Sequence, residues 1–135
     1  MTQDYNPNFP SIESLRQKAK SKIPGFAFDY VDGACNEEIN LRKNTKEIRD
    51  IELKPYYLNE FNGTSMKTEL FGDIYEAPFG ISPIGLQGLT WPGAAEILAK
   101  AAFEHNIPYT LSTVSTASIE KIAEITEGKA WFQLY

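Results

Sequence analysis

Hydrophobic positions along this chain change period near its middle. In the first half, Ile12, Leu15, Ala19 and Ile23 recur at helical spacing, while Arg16, Lys18, Lys20 and Lys22 fall largely outside that face. Ser11, following Pro10, is placed to cap this helix, and Pro24-Gly25 ends it. Residues 1–10 are polar, carry two prolines and read as a flexible lead. Residues 26–32 offer Phe26, Phe28, Tyr30 and Val31. A short helix ending near Gly33 fits them, and their alternation also permits a strand. Asn36 is placed to cap a third helix running to about residue 50, with Ile39, Leu41 and Ile48 as apolar anchors.

Beyond that point the apolar runs shorten. Residues 51–57 read as extended around Pro55, and residues 59–67 have turn chemistry at Asn62-Gly63. Residues 68–71 and 74–77 flank Gly72-Asp73 as a hairpin would. Three runs then suit parallel strands: residues 79–82, residues 109–112, and a stretch from about residue 130. Amphipathic helices fill the gaps. The first, residues 94–104, predicts Ile97, Leu98, Ala101 and Ala102 on its buried side. The second is capped by Ser118, uses Ile119, Ile122, Ala123 and Ile125, and stops at Gly128. Strands alternating with helices read as successive βα units, whose ligands gather at the carboxyl ends of the strands. That rule puts Pro83, Ile84, Gly85, Ser112, Gln133 and Tyr135 around one site. The pattern divides the chain into a cap over residues 1–77 and a βα series over residues 78–135.

Composition narrows the class. At 135 residues the chain is at most one ordinary domain, and its 42% hydrophobic content is enough for a packed core. A net charge of -5 argues against a general nucleic-acid binder, which would present a basic face. A single cysteine, Cys35, rules out an internal disulfide framework and fits a reducing compartment, so a cytoplasmic setting is expected. No secretory signal is evident at the start, and the longest apolar runs are too short to span a bilayer.

Several sharp motifs fail on inspection. Gly80 and Gly85 have the spacing of a phosphate loop, but Leu86 and Gln87 stand where a lysine and a hydroxyl are needed. The dinucleotide fingerprint fails because position 83 is proline. The small residues at this strand end either allow close packing or let a flat ring lie against the backbone. His105, the only histidine, falls at the end of a helix, on the amino-terminal face of the sheet, where a catalytic base is not expected. One His and one Cys give no recognisable zinc site, and no Ser-His-Asp set reaches the correct face. Asp32, Glu37 and Glu38 read as solvated charges near helix ends. Gln133 is more informative. A carboxamide between Phe132 and Leu134 needs partners, and its paired donor and acceptor suit an imide edge. Ser112 could satisfy backbone groups at a strand end, and Tyr30 and Tyr135 could be core aromatics.

Taken together, four segments resemble the FMN-dependent 2-hydroxy-acid dehydrogenases and oxidases. They are Phe28-Asp29-Tyr30-Val31-Asp32-Gly33 followed by Asn40-Leu41-Arg42-Lys43-Asn44; Ala77-Pro78-Phe79-Gly80-Ile81-Ser82-Pro83-Ile84-Gly85; Leu111-Ser112-Thr113; and Trp131-Phe132-Gln133-Leu134-Tyr135. The resemblance implies an α/β fold, the amino-terminal part of a (β/α)8 TIM barrel with about three of eight strands, preceded by a helical cap and hairpin. It implies FMN as cofactor and a small (S)-2-hydroxy acid, lactate-like, as substrate. Pro83, Ile84 and Gly85 match the backbone against the flavin ring, Ser112 a hydroxyl bonded to it, and Gln133 the side chain at its pyrimidine edge. Tyr30 matches the tyrosine that binds the substrate carboxylate, and Tyr135 the one that approaches its reacting end. The family's base histidine and its arginines and lysine lie after the third strand, so no catalytic base and no metal site are expected within these residues. The chain alone is expected to be inactive, and the complete protein to be a homo-oligomer, possible membrane association residing in other parts. Ala34, where many relatives carry a second glycine, touches only a turn of the cap. A noncatalytic interaction module and an isoprenoid-diphosphate isomerase on an FMN barrel stand as alternatives.

Overall fold

A computed structural model gives the fold of residues 7–60 and 62–135; most of the expected lead and Phe61 of the 59–67 loop lie outside the described residues. The chain forms two compact units, residues 1–55 and 56–135.

Among the described residues, three helices make up the first unit. Helix α1 spans Ile12–Lys20. Its start is a reciprocal cap: the Ser14 N–H donates to Ser11 Oγ at 3.2 Å, and the Ser11 N–H donates to Ser14 Oγ at 3.2 Å. Two of the amides that a helix start leaves unpaired are thereby satisfied. Helix α2 spans Gly25–Asp32, which settles the helix-or-strand ambiguity, and it buries Ala27 and Phe28. Arg16 clasps the two helices, with Nε donating to Asp32 Oδ1 at 2.5 Å and a terminal nitrogen to Oδ2 at 2.7 Å. Helix α3 spans Ile39–Arg49. Asn36 does not cap it, contrary to expectation. Asn36 takes a left-handed turn, as does the actual cap residue Glu38, whose carboxylate accepts the Ala34 N–H at 3.2 Å. The turn therefore carries the chain two residues further before α3 begins.

In the second unit, strands β1 (Thr68–Leu70) and β2 (Asp73–Tyr75) form an antiparallel hairpin in which Leu70 faces Asp73. The turn is thus Phe71-Gly72, one residue earlier than the sequence suggests. Both residues have positive φ, 55° and 91°, which this two-residue turn requires. The strain at Phe71 is offset by its ring, which meets Trp131 edge-on at 5.4 Å. Tyr75 meets Trp131 as well, at 6.3 Å. Asn106 ties the hairpin to the loop after α5: its Nδ2 donates to the Ile74 carbonyl at 3.1 Å and its carbonyl accepts the Glu76 N–H at 3.0 Å.

The three expected parallel segments run side by side in chain order, each shorter than the sequence predicts. Ile81 forms a single parallel bridge to Tyr109, β3 is Thr110–Leu111, and β4 is Trp131–Phe132. Thr110 pairs with Trp131 and Leu111 with Phe132. Helix α4 (Gln87–Thr90) is a single turn where only a loop was expected. Helix α5 spans Ala94–Glu104, and helix α6 spans Ile119–Thr126, capped by Ser118, whose Oγ accepts the Lys121 N–H at 3.2 Å.

Ala95, Ala99, Ala102, Tyr109, Leu111 and Ile122 form the core. The buried stripe of α5 is therefore rotated from the expected one: Ile97 is exposed, Leu98 and Ala101 are half-buried, and only Ala102 is buried as predicted. Three alanines at helical spacing let α5 approach the strands closely, and a bulkier stripe would hold it off. In α6, Ile122 is buried as expected, but Ile119 is exposed and Thr126 takes an inner position, its hydroxyl donating to the Ile122 carbonyl at 2.8 Å.

Candidate functional site

The carboxyl ends of the parallel segments sit in the second unit, and the ladder sets which residues meet there. The Trp131 N–H donates to the Tyr109 carbonyl at 2.9 Å, and the Gln133 N–H to the Leu111 carbonyl at 2.9 Å. The pairing thus runs one rung past β4 and places Gln133 opposite Ser112. The next rung would take the Thr113 N–H; instead the Thr113 hydroxyl donates to the Gln133 carbonyl and closes the ladder with a side chain. Thr113 was not singled out from the sequence, although a hydroxyl immediately after a strand was the available signal.

Ser112 is 2% exposed. Its Oγ accepts the Val114 N–H at 3.3 Å, and its carbonyl accepts the Ser115 N–H at 3.0 Å, so the chain turns sharply away from the strand. With one of its two lone pairs engaged, the hydroxyl keeps its O–H free to donate to another acceptor. Gln133 is half-buried, and its carboxamide has no intramolecular partner among the described residues. A serine proton and a carboxamide's paired donor and acceptor on one rung form a donor set that fits the polar edge of a flavin ring.

Pro83, Ile84 and Gly85 leave the first parallel segment half-buried. The segment continues through Leu86, left-handed at φ 51°, into α4. The Leu86 N–H donates to the Val114 carbonyl at 3.0 Å, joining this loop to the one that follows Ser112. A Cβ on Gly88 would lie 2.6 Å from Thr116 Oγ1, so the two loops touch there too. Within the second unit the structure therefore brings the Pro83-Ile84-Gly85 loop, Ser112 and Gln133 to one end of the sheet. Tyr135 lies two residues past Gln133, exposed. Tyr30 belongs to α2 in the first unit, where it is also exposed.

The first residue of α4 is one that sequence reasoning read only as a failed phosphate-loop position. Gln87 is 1% exposed, and both atoms of its carboxamide lack a hydrogen-bond partner, as does the hydroxyl of buried Tyr109. Burial pushes the Tyr109 phenol up. The cations of this unit are occupied elsewhere. Lys67, Lys100 and Lys121 pair with Glu76, Glu104 and Glu124, and Lys129 lies 5.8 Å from the Phe103 ring centre. The donor set described above thus suits the ring of a flavin and offers no cation cluster for its phosphate. Among the described residues no group of His, Cys, Asp and Glu could hold a metal ion, and no helix is long and apolar enough to cross a membrane.

Comparisons with known proteins identify the family of the chain. The chain is 39% identical over 120 residues to an L-lactate dehydrogenase of Vibrio parahaemolyticus, covering 89% of this chain and 32% of that protein. It is 40% identical over 125 residues to an L-lactate dehydrogenase of Pseudomonas syringae, covering 93% and 33%. Among solved structures it superposes on a mutant of an active chimera of (S)-mandelate dehydrogenase with a TM-score of 0.82 at 34% identity, covering 91% of this chain and 35% of that one. A mandelate oxidase with 2-hydroxy-phenylacetamide gives a TM-score of 0.85 at 30% identity, covering 94% and 38%. The chain thus spans about a third of the length of the curated relatives it matches. The sequence model of the FMN-dependent dehydrogenases matches residues 19–135, and the chain belongs to that family.

Proposed function

We propose that this chain supplies the cap and the first three βα units of a (β/α)8 enzyme that oxidises a small (S)-2-hydroxy acid, lactate in the first instance, to the 2-oxo acid with FMN. The observation that carries the reading is the rung on which Gln133, with a free carboxamide, stands opposite buried Ser112 at the carboxyl ends of adjacent parallel strands. FMN, when bound, supplies the acceptor for the two electrons that leave the α-carbon of the acid.

The roles of this chain's residues follow from what each can offer. Pro83, Ile84 and Gly85 present a backbone with little side-chain bulk to a flat ring. Ser112 donates its free proton. Gln133 donates through Nε2 and accepts through Oε1, which distinguishes an imide edge from an edge of two like groups. The Tyr30 hydroxyl holds the substrate carboxylate, and the Tyr135 hydroxyl orients its reacting end. Base, cationic clamp and phosphate site belong to other parts of the enzyme, and a homo-oligomer is the expected assembly. The family match and the relatives do not favour a noncatalytic module or an isoprenoid-diphosphate isomerase.

The test uses the full-length enzyme that carries this segment. Purified protein should bind FMN and reduce a dye only when L-lactate or a related 2-hydroxy acid is supplied. Gln133→Leu should weaken FMN binding about tenfold, as expected for losing two neutral hydrogen bonds. Tyr30→Phe should raise KM for the acid with FMN affinity unchanged. Full-length protein that takes up no flavin would overturn the reading.

A further inference from the structure

The chain leaves β3 in a tight turn over residues 112–114. Ser112 Oγ accepts the Val114 N–H at 3.3 Å, and the Ser112 carbonyl accepts the Ser115 N–H at 3.0 Å. A regular parallel ladder would send the Thr113 N–H to the Gln133 carbonyl, because the Gln133 N–H already donates to the Leu111 carbonyl at 2.9 Å. The Thr113 hydroxyl donates to the Gln133 carbonyl in its place. On its other side the same turn offers the Val114 carbonyl, which accepts the Leu86 N–H at 3.0 Å. One three-residue turn therefore holds the loop after the first parallel segment through its backbone, and the residue after β4 through a side chain.

The two bonds to Gln133 act on different peptide planes. Its N–H fixes the plane before its Cα, and its carbonyl fixes the plane after it. Because peptide units are planar, holding both sets φ and ψ of Gln133 together. Those angles aim the Cα–Cβ bond and steer the chain towards Tyr135, two residues on. Without the hydroxyl, the first plane stays anchored and the second can turn about ψ. A carboxamide that must match a donor–acceptor edge and a phenol that must meet the reacting end of an acid both depend on that angle. Threonine suits the task because its branched Cβ restricts χ1 and keeps the hydroxyl aimed.

We propose that Thr113 is a positioning residue for the oxidation described above, its hydroxyl locking the Gln133 peptide so that the carboxamide and the Tyr135 hydroxyl are presented together. The inference rests on the FMN reading of Gln133. It adds a residue that acts through Gln133 and Tyr135 and takes no part in the chemistry itself.

The test compares two variants of the full-length enzyme that carries this segment. Thr113→Val keeps the branched shape and removes the donor, whereas Thr113→Ser keeps the donor. FMN affinity should fall about threefold in Thr113→Val, the equivalent of one exposed neutral hydrogen bond, and stay within about twofold of wild type in Thr113→Ser. With FMN saturating, kcat for L-lactate should fall by a similar factor in Thr113→Val while KM holds, since Tyr135 addresses the reacting end. The visible absorption of bound flavin should shift in Thr113→Val and return in Thr113→Ser. A second arm needs no cofactor: in flavin-free protein, hydrogen exchange across residues 131–135 should accelerate in Thr113→Val alone. The Leu86 amide should exchange as in wild type in both variants, because its bond to Val114 is made by backbone. Equal losses in the two variants, or unchanged exchange in Thr113→Val, would overturn the proposal. Faster exchange with FMN affinity, spectrum and kcat all unmoved would overturn it too and leave the FMN reading in place. Wild-type protein that binds no FMN, with the exchange pattern as expected, would reject the FMN reading and sustain the lock between Thr113 and Gln133.

Discussion

Ile122, Leu111 and Tyr109 in the second unit are sealed against Ala95, Ala99 and Ala102, while among the described residues of the first unit only Ala27 and Phe28 are buried hydrophobics. Helices α1 and α3 bury nothing. Their apolar residues nevertheless recur at helical spacing, and Ile12, Ile39 and Ile48 stand exposed. The second unit obeys the ordinary rule that an amphipathic element buries its stripe. The first is held by local devices: a reciprocal serine cap on α1 and a two-pronged ion pair between α1 and α2. One unit contains its own core, and the other has the pattern of a core without the opposing face.

The comparison can be broken with one substitution made in both places. Ile122→Ala removes a side chain that is 1% exposed and should cost about 2–5 kcal/mol in urea unfolding. Ile48→Ala removes one that is 71% exposed and should change stability by about 0.5 kcal/mol or less. Equal losses would mean that the stripe of α3 is covered, and the contrast between the two units would fail.

Gly80 sharpens the same contrast from the packing side. A Cβ at this position would lie 2.5 Å from the Pro108 carbonyl oxygen, which is backbone and cannot swing away. Gly80→Ala should therefore destabilise the protein by about 1–3 kcal/mol, measured by thermal unfolding. Gly25→Ala in the first unit meets nothing within 4 Å and should fall within about 0.5 kcal/mol of wild type. The glycine at the first parallel segment is thus required by close packing, one of the two readings its sequence left open.

What could be read from the sequence follows the range of the forces involved. Ser11 and Ser118 were legible as caps because a cap is settled within three residues. The order of the parallel segments was legible because two helical repeats separate three apolar runs. The inner stripe of α5 was misjudged because Ile97 is more hydrophobic than Ala95 or Ala99, whereas close approach to the strands selected the alanines. The hairpin turn was displaced because Phe71 takes a conformation that phenylalanine disfavours locally and Trp131, sixty residues on, repays. At the site, Gln133 stood out because a carboxamide on an apolar strand is conspicuous. Gln87 did not, since only the fold shows it to be buried with its carboxamide unpartnered.

The smallest expected effect is in acid, and it separates the units by which of them contains a perturbed carboxyl. Hydrogen bonds from Arg16 hold the Asp32 carboxyl below its ordinary value, with a further lowering from the positive charges of Arg16 and Lys20 and an opposing push from burial. A carboxyl whose folded value lies below its unfolded one, about 3.9, stabilises the fold above that unfolded value. The contribution is lost as pH falls through the folded value. Hydrogen exchange of the α2 amides, corrected for intrinsic rate, should thus be unchanged from pH 7 to about 5 and accelerate below about 4. Asp32→Asn should show the faster exchange already at neutral pH and no further step in acid, and added salt should shrink the difference because the pair is solvent-facing. The Tyr109 phenol titrates far above this range, its value raised by burial, so the core amides of α5 and β3 should not follow the same step. Simultaneous loss of protection in both units would show that they unfold as one, and the contrast between a self-contained core and a locally clasped cap would then fail.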